Sequence, residues 1–359
     1  MLDFGICFKG DIPPDRTVKL ARAAEKGGFS YVWTFDSHIL WKECYTMLTL
    51  LATETESVRL GPCVTNPAVR DLTVTASNFA ALNLISKGRA VCGIGRGDSS
   101  RRVMGFKPTT VEDMMHAVDQ IRTMAQGGKI TYEDKEQWLN WANPKYKLPM
   151  WIAGYGPKVL RASAQHADGI VLQIADTDLF SWFKDQVDAG ARQFGRNPGD
   201  IEFMVAAPVF VSRDIKKCRA QVRWFPAMVG NHVADIVKNV IEKDPEMGKG
   251  IPTALTDYIK GRKGYDYRQH ADKDADHLDF IPEYIIDRFS VIGDVSAQVE
   301  KLKILESKGM TQFNIYLMCG EEEKIVEIYS KEIIPEFRRK KSKSTKASGR
   351  GRSRKKVAA

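Results

Sequence analysis

Short apolar runs alternate with longer amphipathic segments along most of the chain. The first two pairs are residues 2–8 with 15–27, and residues 31–35 with 45–55. The short runs are apolar throughout, which is typical of parallel strands whose two faces are both buried. The longer segments carry apolar residues on one side at helical spacing. The pattern therefore predicts parallel β-strands joined by α-helices.

About eight strands are predicted, and most of them precede a helix. The predicted strands span residues 2–8, 31–35, 58–65, 90–94, 150–153, 169–173, 202–212 and 312–318. The predicted helices span residues 15–27, 45–55, 73–86, 111–126, 158–166, 179–194, 295–308 and 322–332. Residues 127–147 are interpreted as a loop. Residues 214–285 are irregular but mostly helical in pattern.

This order predicts an α/β protein with a (β/α)8 TIM barrel and insertions. An open, doubly wound sheet is the alternative. It should show a Gly-x-Gly-x-x-Gly turn after its first strand. The segment Gly10-Asp11-Ile12-Pro13-Pro14 is not such a turn, and the barrel is therefore favoured.

The net charge of +9 is concentrated at the C-terminus. Residues 338–359 hold eleven Lys or Arg residues and no acidic residue, which leaves a net charge of −2 for residues 1–337. A segment rich in Ser, Gly, Lys and Arg cannot bury much apolar surface, so we predict a disordered basic tail. Residues 1–337 are expected to form one barrel domain. A weak electrostatic hold on nucleic acid is the alternative role for the tail.

Several classes of protein are disfavoured by composition and motifs. No apolar run is long enough for a membrane span, and the N-terminus lacks the features of a signal peptide. The six cysteines show no paired spacing and are interpreted as reduced thiols in a cytoplasmic protein. No HExxH motif, Cys/His cluster, Walker loop or GxSxG elbow is present, so no metal site is predicted.

Asp36 and His38 are the candidate catalytic residues. Both follow the second predicted strand, and the carboxyl ends of barrel strands form the mouth where barrel enzymes place their sites. Histidine is the usual proton donor or acceptor near neutral pH. A hydrogen-bonded loop histidine without a chemical role is the alternative.

Three further turns follow predicted strands and are suited to hold a cofactor. They contain Cys63, Val64, Thr65 and Asn66; Gly95, Arg96, Gly97 and Asp98; and Gly154, Tyr155, Gly156, Pro157 and Lys158. Glycines let a ligand approach the backbone, and Arg96 offers a fork for a phosphate or carboxylate. The free amides of the helix start after Gly156 form an anion site, to which Lys158 can add charge. Ordinary turns are the alternative in each case.

In their order, these segments resemble the bacterial-luciferase-like flavin and deazaflavin oxidoreductases, and within them the group similar to methylenetetrahydromethanopterin reductase. The resemblance covers about residues 1–337. It is carried by residues 32–38, 61–67, 93–98, 151–157, 287–293 and 295–318. The Asp-His pair of the family matches Asp36 and His38, with Ser37 between them.

The resemblance implies a barrel with a cofactor across its C-terminal mouth. It implies that residues 214–285 are an insertion that shapes the substrate side. It also implies a non-proline cis peptide bond at Cys63–Val64 behind the ring, and a phosphate at Gly156, Pro157 and Lys158. The implied activity is hydride transfer to or from a small organic substrate, with coenzyme F420 or FMN as the carrier. Two alternatives stay open: an FMN-dependent monooxygenase that uses molecular oxygen, and a non-catalytic flavin-binding barrel. An FMN enzyme would need NAD(P)H or a flavin reductase, and we expect a homo-oligomer.

Overall fold

The computed structural model describes residues 1–230, 268 and 281–338. The strands are β1 (Asp3–Phe8), β2 (Tyr31–Thr34), β3 (Arg59–Pro62), β4 (Cys92–Ile94), β5 (Ile130–Tyr132), β6 (Lys135–Gln137), β7 (Met150–Ala153), β8 (Gly169–Leu172), β9 (Glu202–Val211), β10 (Val291–Gly293) and β11 (Gln312–Tyr316). The α-helices are Pro14–Lys26, Cys44–Glu54, Leu72–Ser86, Asp98–Arg102, Val111–Ala125, Pro157–His166, Thr177–Gln193, Ile215–Val222, Glu283–Phe289, Val295–Ser307, Glu322–Ile328 and Ile334–Arg338. A 3-10 turn, Pro198–Asp200, and a π-helical segment, Tyr329–Ile333, complete the description.

Eight parallel strands form a barrel in the order β3-β2-β1-β11-β9-β8-β7-β4. The two ends of this order, β3 and β4, meet through two isolated bridges, Leu60–Ala90 and Thr65–Ile94. Helices connect most successive strands, so the predicted (β/α)8 fold is confirmed. The carboxyl ends of all eight strands therefore lie at one mouth.

Glycine is required where β3 and β4 close the barrel. A Cβ on Gly61 would lie 2.2 Å from the carbonyl oxygen of Val91, and a Cβ on Gly93 would lie 2.2 Å from that of Pro62. Any side chain at either position would push the two strands apart. The two glycines thus hold together the turns that follow these strands.

Aromatic side chains fill much of the barrel interior. The rings of Tyr31 and Trp33 are stacked with centroids 5.6 Å apart, and Trp151 lies edge-on to both. Gly169 makes room for Trp151, because a Cβ there would lie 2.5 Å from the indole. Buried apolar residues form one continuous cluster that extends from Leu2 to Phe337.

Acidic side chains cap the N-termini of several helices that connect the strands. Asp71 accepts from the backbone N–H of Thr73, and Asp294 accepts from that of Ala297. Such caps satisfy amides that have no partner within the helix. None of the helices in the described part of the chain is long and apolar enough to cross a membrane.

The interpretation of residues 127–147 as a loop was wrong, because strands β5 and β6 form an antiparallel hairpin there. The hairpin turns at Glu133 and Asp134, whose φ angles are +46° and +62°. Two positive φ angles are usual for such a turn, but Asn-Gly or Asp-Gly is the usual sequence. Glu-Asp carried no turn signal, so the hairpin was missed.

The C-terminal helix extends further than predicted, and this moves the start of the predicted tail. Helical structure continues from Glu322 through Tyr329–Ile333 to Arg338, and the Arg338 guanidinium donates to the carbonyl oxygen of Gly28. Arg338 therefore belongs to the folded part, contrary to the boundary expected from charge alone. Residues 339–359, and most of the predicted insertion at 214–285, lie outside the described residues.

A short strand, β10, was also missed. It is three residues long and pairs in parallel with the end of β9, with Val291 opposite Val209 and Gly293 opposite Val211. A run this short gives no periodic signal. It lies next to the barrel rather than within its ring of eight strands.

Candidate active site

The turns that were predicted to hold a ligand meet at the mouth of the barrel. The Ser37 hydroxyl lies 3.0 Å from that of Ser99, which joins the turns after β2 and β4. The Thr65 hydroxyl donates to Asp36 across 2.6 Å, which joins the turns after β2 and β3. The Asn66 amide donates to the Ser100 hydroxyl across 2.8 Å. The three turns are therefore one connected structure.

Asp36 is buried in an ion pair with Arg70. Arg70 Nη1 and Nη2 donate to the two carboxylate oxygens over 2.7 and 2.9 Å, and the Asp36 side chain is only 1% exposed. Arg70 also donates to Glu43 across 2.8 Å and lies over the Tyr45 ring, with 5.0 Å from its Cζ to the ring centroid. Burial lowers the pKa of the Arg70 guanidinium, but its bonds to Asp36 outweigh this and raise the pKa above its ordinary value. With both oxygens engaged, Asp36 is placed to orient the turn after β2.

His38 lies at the same end of β2 but is exposed. It begins a turn in which the backbone N–H groups of Leu40 and Trp41 both donate to the carbonyl oxygen of Ser37. Within the described residues its imidazole forms no hydrogen bond, unlike the neighbouring carboxylate of Asp36. Both nitrogens of His38 are thus without a partner among the described residues.

The turn after β3 contains the cis peptide bond Cys63–Val64, so that expectation is confirmed. Val64 is the partly exposed residue of this turn, whereas Cys63, Thr65 and Asn66 are buried. The Asn66 side chain also accepts from the N–H groups of two following residues, which fixes the turn internally.

Val64 forms a small apolar surface with its neighbours from two other strands. A Cβ on Gly95 would lie 3.0 Å from Val64 Cγ2 and 3.6 Å from the Ala153 Cβ. Because glycine has no side chain, nothing projects between Val64 and Ala153. This surface suits the face of a planar ring, and the backbone of Gly95 lies beside it.

The turn after β4 makes several contacts within the protein through Arg96, Gly97 and Asp98. The Arg96 guanidinium is exposed, and its Nε donates to the carbonyl oxygen of Thr109. Gly97 has a φ of +80° and precedes the short helix Asp98–Arg102. Asp98 pairs with Arg102 on that helix. The remaining nitrogens of Arg96 are its open donors at the mouth.

The turn after β7 leads directly into the helix Pro157–His166. Gly156 is the N-cap residue and no side chain caps the helix, while Pro157 occupies its first position. The open helix start carries the positive end of the helix dipole. Lys158 is 77% exposed and 3.8 Å from Glu112, an ion pair too exposed to hold either side chain firmly.

Gln173 and Tyr316 were missed by the sequence analysis, although they lie at the carboxyl ends of β8 and β11. Tyr155 donates to Gln173 Oε1 across 2.7 Å, and Gln173 Nε2 donates to the Tyr316 hydroxyl. Burial raises the pKa of both tyrosines well above the ordinary value, and interaction with Cys63 acts in the same direction. The partly exposed Gln173 amide is thus held by two neutral hydroxyls. The signal for it was a polar residue at the end of an apolar strand.

No group of three or more His, Cys, Asp or Glu side chains suited to a metal ion occurs among the described residues. The chemistry at the mouth consists instead of an open imidazole, an ordered amide, a small apolar surface and a helix start. Together these define a (β/α)8-barrel protein with its candidate site at the carboxyl ends of the strands.

The sequence model of the luciferase-like monooxygenase family matches residues 2–312, and the chain belongs to that family. It is 29% identical to 5,10-methylenetetrahydromethanopterin reductase of Archaeoglobus fulgidus, over 94% of this chain and 100% of the relative. A 28% identical relative from Mycobacterium tuberculosis, named F420-dependent hydroxymycolic acid dehydrogenase, is matched over 58% of this chain and 63% of its own length.

Solved structures agree with the fold. The F420-dependent tetrahydromethanopterin reductase of Methanopyrus kandleri superposes with a TM-score of 0.72 at 23% identity, covering 94% of this chain and 99% of that one. An F420-dependent secondary alcohol dehydrogenase, solved with an F420-acetone adduct, gives a TM-score of 0.73 at 18% identity over 93% and 98%. The luciferase-like barrel expected from the sequence is confirmed.

Proposed function

We propose that the protein is a coenzyme F420-dependent oxidoreductase that transfers a hydride to or from a small organic substrate. The observation that carries the proposal is the construction of the mouth, where an apolar surface, an ordered amide and an open helix start lie together. Similarity to the F420-dependent hydroxymycolic acid dehydrogenase, and the fold shared with two F420-dependent enzymes, support the deazaflavin over FMN. Monooxygenases superpose less well, with TM-scores of 0.63 and 0.64.

The residues of the mouth fit a planar ring with a phosphate. Val64, Gly95 and Ala153 would support the face of the ring, and the amide of Gln173 offers a donor and an acceptor to its polar edge. The helix start at Gly156, with Lys158, would receive the phosphate. When bound, the coenzyme supplies a carbon that accepts or gives up a hydride.

His38 is proposed to move the proton that accompanies hydride transfer. Its imidazole is exposed and open on both nitrogens, and it follows a barrel strand on the mouth side. A positioned histidine can give or take a proton near neutral pH. The ion pair of Asp36 with Arg70 would keep the backbone that leads to His38 in place, without itself exchanging protons.

Other features remain part of the proposal. We expect a homo-oligomer in the cytoplasm, acting on a small-molecule substrate. If FMN were the carrier, NAD(P)H or a flavin reductase would have to supply electrons. Residues 214–285 are proposed to select the substrate. Size-exclusion chromatography with light scattering measures the oligomeric state directly.

Titration of the purified full-length chain with coenzyme F420 and with FMN tests the cofactor. We expect quenching of deazaflavin fluorescence at lower concentration than any change in flavin absorbance. Tighter binding of FMN, with oxygen consumption by the reduced complex, would replace the proposal by the monooxygenase alternative. Failure of both carriers to bind would contradict it altogether.

A second experiment distinguishes an enzyme from a non-catalytic barrel. Oxidised coenzyme F420 and a panel of secondary alcohols, and the reduced coenzyme with ketones and cyclic imines, are incubated with the protein while absorbance is followed. We expect turnover with at least one substrate class. Tight coenzyme binding without turnover across the panel would favour the non-catalytic alternative.

A further inference from the structure

Strand β11 places polar side chains where a barrel normally buries apolar ones. Gln312 and Asn314 face the barrel axis and are fully buried. Phe313, between them, points the other way and packs against Phe4 and Tyr329 under the helices, with ring centroids 6.4 and 6.5 Å away. The strand therefore turns its amides, rather than its apolar residues, toward the centre of the barrel.

Neither amide has a hydrogen-bond partner among the described residues. The oxygen and the nitrogen of Gln312, the oxygen and the nitrogen of Asn314, and the indole N–H of Trp33 are all buried and unpaired. Buried polar groups are nearly always satisfied by protein or by ordered water. Five unpaired atoms in one place are more than a barrel core normally tolerates, and they call for a partner.

Three of these atoms lie close to Gly5 and therefore close to one another. A Cβ built on Gly5 would lie 2.8 Å from Asn314 Oδ1, 2.9 Å from Gln312 Nε2 and 3.1 Å from Trp33 Nε1. The φ of Gly5 is not in the left-handed region, so glycine is not needed there for its backbone conformation. Its role is to leave out a side chain that would push the amides away.

The chemistry of the three groups identifies what they can bind. The indole N–H is a donor only, and each amide offers both a donor and an acceptor. The partner must therefore be able both to donate and to accept hydrogen bonds. The group contains no carboxylate that would attract a cation, and full burial leaves no path for a larger molecule.

We propose that the barrel interior holds at least one ordered water molecule, bound by Trp33, Gln312 and Asn314. Buried waters usually form about three hydrogen bonds to groups that would otherwise be unsatisfied. Tyr316 follows Asn314 on the same face of β11 and bonds to Gln173 at the mouth. The water site thus extends a line of polar groups from the barrel interior toward the candidate active site. It does not depend on the proposed cofactor.

A crystal structure of the full chain without cofactor, at a resolution that shows ordered water, is the direct test. We expect a density peak within about 2.7–3.2 Å of at least two of the three groups. As an independent test in solution, oxygen-17 relaxation dispersion should show a long-lived internal water. An interior without such a peak, in which the amides bond to each other or to the backbone, would overturn the proposal.

Variants separate the water site from general packing. Gln312→Met and Asn314→Leu should each remove the peak and lower the melting temperature, because the remaining groups lose their shared partner. Phe313→Leu is the matched control on the opposite face, and it should lower the melting temperature but keep the peak. Gly5→Ala should push the two amides out of place and so remove the peak, and the other variants decide the matter if it does not fold. A higher melting temperature for Gln312→Met, together with no water density in the parent protein, would show a dry pocket and contradict the proposal.

Discussion

Arg70 donates hydrogen bonds to both carboxylate oxygens of Asp36 at the barrel mouth, although the two residues are 34 positions apart in the chain. The carboxylate is 1% exposed and the guanidinium 15%. Thr65 donates to the same carboxylate from the turn that carries the cis peptide bond. The pair therefore joins the candidate catalytic turn to the turn proposed to support the ring.

Removing Arg70 should destabilise the protein strongly, because it leaves a buried carboxylate without its counter-charge. Arg70→Met is expected to lower the free energy of unfolding by about 3–5 kcal/mol, the usual cost of breaking one side of a buried pair. Denaturant unfolding measures this. Lys331→Met is the control, since Lys331 pairs with Glu327 on the surface and should cost less than about 1 kcal/mol. Equal losses of unfolding free energy in the two variants would show that the Asp36–Arg70 pair stabilises the protein no more than a surface ion pair does.

His38→Ala tests the proposed proton transfer. Turnover should fall by roughly 10²–10⁴-fold, the usual contribution of a general acid or base. Coenzyme affinity should stay within a few-fold, because the contribution is made in the transition state. His116→Ala, which removes another exposed histidine from the helix Val111–Ala125, should leave turnover unchanged. Full turnover of His38→Ala would make His38 a structural loop residue.

Gly156→Asp should separate fold stability from cofactor binding. Aspartate is a slightly better N-cap than glycine, so the helix Pro157–His166 should become more stable by roughly a few tenths of a kcal/mol. The same carboxylate would repel a bound phosphate and weaken coenzyme binding by roughly 1–3 kcal/mol. Gly156→Asn caps without charge and is the matched control.

Thermal unfolding and fluorescence titration measure the two effects of Gly156→Asp separately. The aspartate and asparagine variants should have similar melting temperatures, and only the aspartate variant should lose affinity. If both bind the coenzyme as tightly as the parent protein, the anion site lies elsewhere.

Gln173→Met should weaken binding at the polar edge of the proposed ring. It removes the amide that Tyr155 and Tyr316 hold in place, and loss of one hydrogen bond corresponds to about 1 kcal/mol, or roughly fivefold in the dissociation constant. Gln186→Met also removes a hydrogen bond, to Arg161, but between two outer helices. The free energy of unfolding of Gln186→Met should fall by about as much as that of Gln173→Met, but its affinity for the coenzyme should be unchanged. The same affinity for both variants would exclude Gln173 from the cofactor site.

The basic tail should be dispensable once its start is placed after Arg338. A chain that ends at Arg338 is expected to keep its stability within about 0.5 kcal/mol and its coenzyme affinity unchanged. A chain that ends at Pro335 loses Phe337, which is buried against Phe4 with ring centroids 5.5 Å apart. It should lose about 3–5 kcal/mol, as when a core phenylalanine is removed. A large loss of affinity in the first truncation would give the tail a role in binding.

The fold and the turns that follow β2, β3, β4 and β7 could be predicted because their signals are local. Apolar runs and helical spacing mark the strands and helices, and the cis peptide bond at Cys63–Val64 follows from the family pattern of its own turn. The hairpin at Glu133 and Asp134 was missed because its turn lacks the residues that usually adopt positive φ. The error therefore also had a local cause, because the backbone conformation of this turn is not indicated by its residue types.

Contacts between distant segments were decided only by the tertiary structure. Gln173 is ordered by Tyr316, which lies 143 positions later, and Asp36 is held by Arg70 from another turn. Gln312 and Asn314 meet Trp33 only because β11 closes beside β1 in the barrel. Sequence pattern determines which face of a strand is buried, since side chains alternate along it. Which partner a buried polar group finds depends on how the strands are arranged, and that arrangement is set by the packing of the whole barrel.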